Sequence, residues 1–129
     1  VDDVINIRGH RIGSEEIEST VLKITQINEC CAISVLDDLE GFVIYLFVVS
    51  KKNNLNKLIL DNLISNFGTF ALPKKIYYLS ELPKTRSGKI LRRLLRSITI
   101  DPNSKNYGDL TTILNSNIIE EIKYKVKNA

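Results

Sequence analysis

Lys89 lies in the run Pro83-Lys84-Thr85-Arg86-Ser87-Gly88-Lys89-Ile90, whose residue types and spacing could do chemistry. Gly88 can adopt backbone angles closed to other residues, so the run reads as a tight turn. A strand-like stretch, Ile76-Tyr77-Tyr78-Leu79, leads in, and a basic amphipathic helix from Ile90 to Ser97 leads out. Lys89 is therefore expected at the tip of a turn, at the entrance to a helix. Exposed N–H groups and partial positive charge at a helix N-terminus attract anions. An ammonium group added there makes a candidate phosphate or carboxylate site.

Three readings of this run compete. Charge runs are common on solvated surfaces, so a basic loop ahead of a surface helix is one. A nucleotide phosphate loop is the second, and Gly88-Lys89 matches the end of that motif. Pro83, however, stands where the motif needs its first Gly, and Ile90 where it needs Ser or Thr for magnesium, so this reading is rejected. The third is nucleic-acid binding. Lys84, Arg86, Lys89, Arg92, Arg93 and Arg96 supply six positive charges with no acid among them, a set that could neutralise phosphates. No aromatic residue is interleaved with them, as a single-strand platform would require. A stand-alone interaction or nucleic-acid-binding module using residues 84–96 is kept as the alternative function.

The elements that must position this run can be read from periodicity. Val4 to Ile7 and Arg11-Ile12 form a short hairpin with Gly9 in its turn. Ser14 is the expected cap of a helix over about 14–24, with Ile17, Val21 and Ile24 on its apolar face. Cys30 to Leu36 reads as a buried strand, Asp37 to Gly41 as a turn, and Phe42 to Val49 as a strand covered on both faces. Asn53 or Asn54 is expected to cap a second helix, whose stripe is Leu55, Leu58, Ile59, Leu63 and Phe67, with Gly68 ending it. A third strand near Lys75–Leu79 is expected to pair with the Phe42–Val49 strand. Beyond the linker Asp101-Pro102-Asn103-Ser104, Asn117 and Glu120 read as a capping box for a last helix striped by Ile118, Ile122 and Val126. The expected class is α+β: a small mixed sheet of about three strands flanked by helices and preceded by a hairpin.

At 129 residues the chain is long enough for one core, and 43% hydrophobic with 26% charged residues excludes disorder. The net charge of +3 does not demand a nucleic-acid partner, and no apolar run approaches a membrane span. Cys30 and Cys31 are neighbours whose side chains point to opposite faces of a strand, so they read as two buried thiols in a reducing compartment. Two cysteines and one histidine make no structural zinc set, and no metal site is expected. The chain opens Val-Asp-Asp without Met and reads as a piece of a longer polypeptide.

Two stretches together resemble one family. The first is Asp2-Asp3-Val4-Ile5-Asn6-Ile7-Arg8-Gly9-His10-Arg11-Ile12-Gly13 followed by Glu16-Ile17-Glu18; the second is Leu82 to Ile90. They are similar to the two C-terminal signature motifs of the acyl-adenylate-forming superfamily. With the tail Tyr107 to Leu114, the chain resembles the AMP-forming acetyl-CoA synthetases within it, with propionyl-CoA synthetases as close relatives. The resemblance covers essentially all of residues 1–129, as the small mobile C-terminal domain of such an enzyme.

That resemblance implies a two-step reaction. A carboxylate attacks the α-phosphate of ATP, giving acyl-AMP and pyrophosphate; CoA then attacks the acyl-AMP and releases AMP. The N-terminal domain of the same polypeptide would hold ATP, Mg2+ and the acyl pocket for acetate or propionate, and the small domain would rotate between steps. The family's catalytic lysine falls on Lys89. A protonated lysine between the carboxylate and the α-phosphate offsets their repulsion and stabilises charge as it develops. Gly9 falls near the pantetheine of CoA, Arg11 on the arginine that approaches the AMP phosphate, and Asp2 on the hinge. Read without the family, these three are a turn glycine, a surface charge and part of a terminus. The family also implies reversible acetylation of Lys89, with a lysine acetyltransferase and a sirtuin-type deacetylase as partners. The expected location is cytoplasmic, with a nuclear or organellar pool left open.

Two departures stand out. Arg8 occupies a position where relatives usually carry Ser, close to the CoA path, and Ile64-Ser65 stands where some carry a basic residue that holds the CoA nucleotide. Arg8 is expected to replace part of that missing charge.

Overall fold

A computed structural model describes residues 3–128. The chain opens with a hairpin of β1 (Val4–Ile7) and β2 (His10–Gly13) and enters α1 (Ser14–Val21) directly. Two long strands, β3 (Ile27–Asp37) and β4 (Gly41–Ser50), lie antiparallel, with Ala32 opposite Leu46 and Asp37 opposite Gly41. Helix α2 (Asn56–Phe67) and a single 3-10 turn (Thr69–Ala71) cross to β5 (Lys75–Leu79), which pairs parallel to β4. The sheet order is β3-β4-β5, so β4 is central and the sheet is mixed, as expected. Two helices follow, α3 (Arg92–Ile100) and α4 (Ile118–Lys127).

Strand alternation divides the interior into two cores. On one face Cys30, Ala32, Ile44, Leu46 and Val48 meet Ile5, Ile7 and Ile12 of the hairpin, Ile17 and Val21 of α1, and Ile59 and Leu63 of α2. On the other, Cys31, Ile33, Phe47, Tyr77 and Leu79 meet Leu94, Leu95 and Ile98 of α3 and Ile118, Ile119 and Ile122 of α4. The two thiols therefore serve opposite cores, both buried and free, and burial pushes the Cys31 thiol up to about 12. Neither can act as a thiolate near neutrality.

Several boundaries differ from the sequence expectation for physical reasons. Ser14 does not cap α1; Gly13 holds the cap position. The Ser14 hydroxyl instead accepts the Asp3 N–H at 3.1 Å, and the Ser14 N–H donates to the Asp3 carbonyl at 2.7 Å. Helix α1 stops at Val21 because the next two turns tighten: Lys23 donates to the Thr20 carbonyl and Ile24 to that of Val21. Leu58 is 48% exposed and leaves the α2 stripe, while Ile59 and Leu63 are fully buried. Neither Asn53 nor Asn54 caps α2; the Leu55 N–H donates to the Tyr78 hydroxyl at 3.0 Å. Asn117 holds the cap position of α4, but its side chain makes no capping bond and its backbone is already helical. Helix α3 begins at Arg92 rather than at Ile90 and runs on to Ile100. No helix among the described residues is long and apolar enough to cross a membrane.

Candidate functional site

The run from Pro83 to Leu91 folds as a narrow loop closed by its own backbone. The Leu91 N–H donates to the Pro83 carbonyl and the Thr85 N–H to the Lys89 carbonyl, each at 2.9 Å. At its end the Gly88 N–H donates to the Thr85 carbonyl at 2.9 Å, with Gly88 at φ +90°. Only glycine reaches that region at little cost. The Thr85 hydroxyl accepts the Lys89 N–H at 3.1 Å. Arg86 and Ser87 thus form the tip, and Lys89 stands on the returning arm, three residues before α3 rather than at its first turn. Its side chain is exposed and lines an open cleft of about 570 Å³ with Asp3, Glu15, Arg93 and Arg96.

The six cations of this region are not equivalent. Arg92 grips Glu18 with both guanidinium nitrogens, the NH2–Oε1 bond measuring 2.8 Å. Lys84 pairs with Glu29 of β3, and Arg96 reaches Asp3 at 3.1 Å. The bond to Glu18 raises the Arg92 pKa further, so that charge is permanent. Lys84, Arg92 and Arg96 are therefore engaged within the fold. Arg86, Lys89 and Arg93 are exposed and have no ion-pair partner among the described residues. The acids were not visible to sequence reasoning because they lie far away in the chain. Glu18 is the most informative of them: it also accepts the Ala32 N–H at 2.8 Å on the free edge of β3.

The other candidate residues sit on the hairpin. Arg8 and Gly9 are the two central residues of its turn, at φ +50° and +83°, joining Ile7 to His10. Positive φ at both positions is the two-residue turn whose twist matches paired strands. Arg8, Gly9 and Arg11 are all exposed, and a Cβ on Gly9 would meet nothing within 4 Å. His10 stacks on Phe70 with ring centroids 4.0 Å apart, which fixes the hairpin to the turn after α2; sequence reasoning assigned His10 no role. Arg8 lines a second cavity of about 300 Å³ with Phe42, Phe70 and Lys74.

The structure keeps these two sets apart. The hairpin packs on one face of the sheet, while Ile90 and Leu91, just after Lys89, pack on the core of the other. The Lys89 cleft and the Arg8 cavity share no lining residue. Asp2, the expected hinge, lies outside the described residues. Asp3 beside it is held three ways, by the Ser14 hydroxyl, the Ser14 N–H and Arg96. Among the described residues no group of three or more His, Cys, Asp or Glu could hold a metal ion.

Comparison with known proteins adds the following. The family model described as AMP-binding enzyme C-terminal domain matches residues 16–89. The chain is 42% identical to the acetyl-coenzyme A synthetase of Coprinopsis cinerea over 138 aligned positions, covering all of this chain and 21% of that protein. It is 38% identical to the acetyl-coenzyme A synthetase of Phycomyces blakesleeanus, covering 98% of this chain and 20% of the other. Among solved structures, an acyl-CoA synthetase of Brucella canis superposes with a TM-score of 0.70 at 32% identity, over 79% of this chain and 20% of that one. The chain thus spans about a fifth of the length of the curated relatives it matches.

Proposed function

The chain belongs to the AMP-binding enzyme C-terminal domain family, and from that premise we propose that it is the mobile C-terminal domain of an AMP-forming acetyl-CoA synthetase. The full polypeptide converts acetate, ATP and CoA to acetyl-CoA, AMP and pyrophosphate. Its upstream portion, about four-fifths of the length by the relatives' proportions, holds ATP, Mg2+ and the acyl pocket. This chain contributes two groups in turn.

In the first step an acetate oxygen bonds to the α-phosphorus of ATP as the bond to pyrophosphate breaks. The Lys89 ammonium lies between the two anions and offsets their repulsion, a contribution worth about a hundred- to a thousand-fold in rate. In the second step the domain has turned about Asp2. The CoA sulfur attacks the acetyl carbonyl, the carbon–oxygen bond to AMP breaks, and AMP leaves. Gly9 then faces the pantetheine arm, where no side chain obstructs backbone approach, and Arg11 faces the AMP phosphate with its fork of donors. Arg8 supplies positive charge toward CoA.

The observation that carries this reading is the separation of the two exposed sets. Lys89 and the Arg8-Gly9 turn line separate cavities that share no residue, which supports their being presented one at a time. The pairing of Lys84, Arg92 and Arg96 inside the fold leaves little free charge for a nucleic-acid module. Propionate in place of acetate is the neighbouring choice, decided by the acyl pocket upstream.

The test separates the half-reactions in the full polypeptide. Lys89→Ala is expected to abolish acetate-dependent pyrophosphate exchange and to spare thioester formation from supplied acetyl-AMP. Gly9→Leu is expected to do the reverse. Equal damage to both steps by both changes would overturn the alternating-face reading. The isolated 129-residue chain is expected to show no exchange activity.

A further inference from the structure

The arm that brings the chain from β5 into the Lys89 loop is gripped along its length by the C-terminal tail. Glu121 of α4 accepts the Ser80 N–H at 2.7 Å and the Ser80 hydroxyl at 2.6 Å. The Asn115 amide nitrogen donates to the Leu82 carbonyl at 3.0 Å and to the Glu81 carboxylate. The Asn115 oxygen accepts the Lys84 N–H at 3.2 Å. The Leu114 N–H donates to the Lys84 carbonyl at 2.8 Å, and Thr85 bridges to Ile113. From Ser80 to Lys84, every residue except Pro83 is bonded to the tail, and Thr85 lies opposite Ile113 in an isolated bridge.

Asn115 is the centre of this contact. An amide side chain carries both a donor and an acceptor, so it pairs with a strand much as a peptide group would. The tail on which it sits is fixed by Ile113, buried in the same core as Leu82 and Leu95. Thr85 passes the constraint across the loop: its main chain meets the tail, its N–H meets the Lys89 carbonyl and its hydroxyl accepts the Lys89 N–H. We propose that Asn115 is a positioning residue for Lys89, through which the C-terminal tail sets the register of the loop that presents the ammonium group. This rests on the assignment of Lys89 to acyl-adenylate formation. Positioning matters there because a misplacement of about 1 Å can cost roughly a hundredfold in rate.

The experiment compares Asn115→Ala with Lys89→Ala in the full polypeptide, measuring both half-reactions and amide hydrogen exchange. Asn115→Ala is expected to lower the rate of pyrophosphate exchange about ten- to a hundredfold with KM for ATP unchanged. Thioester formation from acetyl-AMP should stay at its normal rate. The Thr85 and Lys89 amides should exchange about tenfold faster, the equivalent of one lost hydrogen bond, while those of Leu46 and Phe47 stay protected. If the core amides loosen too, a compensating pair decides. Asn115→Asp sets a carboxylate against Glu81 and the Leu82 carbonyl, and adding Glu81→Gln restores a donor to the first contact; pyrophosphate exchange above that of Asn115→Asp alone supports the proposal and no gain over it overturns it. Normal exchange in Asn115→Ala with none in Lys89→Ala overturns the positioning role and leaves the functional reading standing. Normal exchange in Lys89→Ala overturns that reading, and the positioning role with it.

Discussion

Glu18 of α1 and Arg92 of α3 meet over the free edge of β3, where they bond both polar backbone groups of Ala32. Glu18 accepts the Ala32 N–H at 2.8 Å and Arg92 donates to the Ala32 carbonyl at 3.2 Å. Arg96 repeats the contact two residues on, at the Ser34 carbonyl. An exposed edge is a template for pairing with another chain, and here side chains cover it. The same pair joins the helices of the two cores, because α1 packs on one face of the sheet and α3 on the other.

The Glu18 and Arg92 side chains are only 10% and 17% exposed, so this pair belongs with buried ion pairs rather than surface ones. Removing one partner strands a charge. Arg92→Met is expected to cost about 3 kcal/mol. Glu18→Gln in the same chain should recover part of the loss, since the buried carboxylate is gone and the amide oxygen still accepts the Ala32 N–H. Urea denaturation of the two single variants and the double variant measures this, and additive losses would mean the pair does not act as a unit.

This pair also shows where reading the sequence stops. The near-continuous apolar run over 42–49 and the 3.6-residue spacing of Leu55, Ile59 and Leu63 are local signals, and they located strands and helices. Gly9 and Gly88 were legible as turn residues because a glycine in a short polar run carries its meaning locally. Arg92 and Arg96 were counted with a free basic cluster because their acids lie 74 and 93 residues away. Ser14 and Asn117 had the right types for caps, but the Asp3 N–H just ahead of β1 took the Ser14 hydroxyl and Asn117 is itself helical. Asn115 gave no signal at all, since its work is done across 31 to 34 residues of chain.

Arg8 offers a test of strain against charge. It is the one non-glycine residue with positive φ among those described, in a turn that favours Asn-Gly. The left-handed region costs an ordinary residue roughly 1 kcal/mol. Arg8→Asn is expected to stabilise the chain by up to about that amount, seen as a higher urea midpoint with an unchanged slope. If Arg8 also supplies charge toward CoA, the same variant weakens CoA binding in the full polypeptide. Unchanged CoA affinity would remove Arg8 from the CoA face while leaving the strain argument intact.

The β3–β4 turn carries a pH-dependent tie. Lys74 reaches Asp37 at 2.6 Å and Glu40 at 3.1 Å, and the Leu39 and Glu40 N–H groups both donate to Asp37 at 3.0 Å. The bond from Lys74 first, then those backbone N–H groups, hold the Asp37 carboxyl down at about 2. An unfolded Asp titrates near 3.9. A depressed folded value means the stabilisation is complete above about pH 4 and is lost as pH falls through about 2. Asp37→Asn should therefore lower the melting temperature at pH 6 and converge with the parent chain near pH 2. A difference that stays constant from pH 6 to pH 2 would assign the effect to something other than this carboxylate.

If Lys89 serves acyl-adenylate formation as proposed, its modification acts on one half-reaction alone. Its side chain is exposed, it has no ion-pair partner among the described residues, and Arg86, Ser87 and Gly88 beside it are exposed as well. A modifying enzyme therefore meets an accessible loop whose backbone is already held by Thr85. Acetylation replaces the ammonium with a neutral amide. On the proposed reading this removes the charge between acetate and the α-phosphate and leaves the Arg8-Gly9 turn, which lines a separate cavity, untouched. Full polypeptide carrying acetyl-lysine at position 89 is expected to lose pyrophosphate exchange by about a hundred- to a thousand-fold and to keep thioester formation from supplied acetyl-AMP. Treatment with an NAD-dependent sirtuin-type deacetylase should restore exchange, and mass spectrometry of the native protein should find the modified peptide. Acetyl-Lys89 enzyme that forms acetyl-AMP at the normal rate would overturn both the catalytic role of the charge and its control by acetylation.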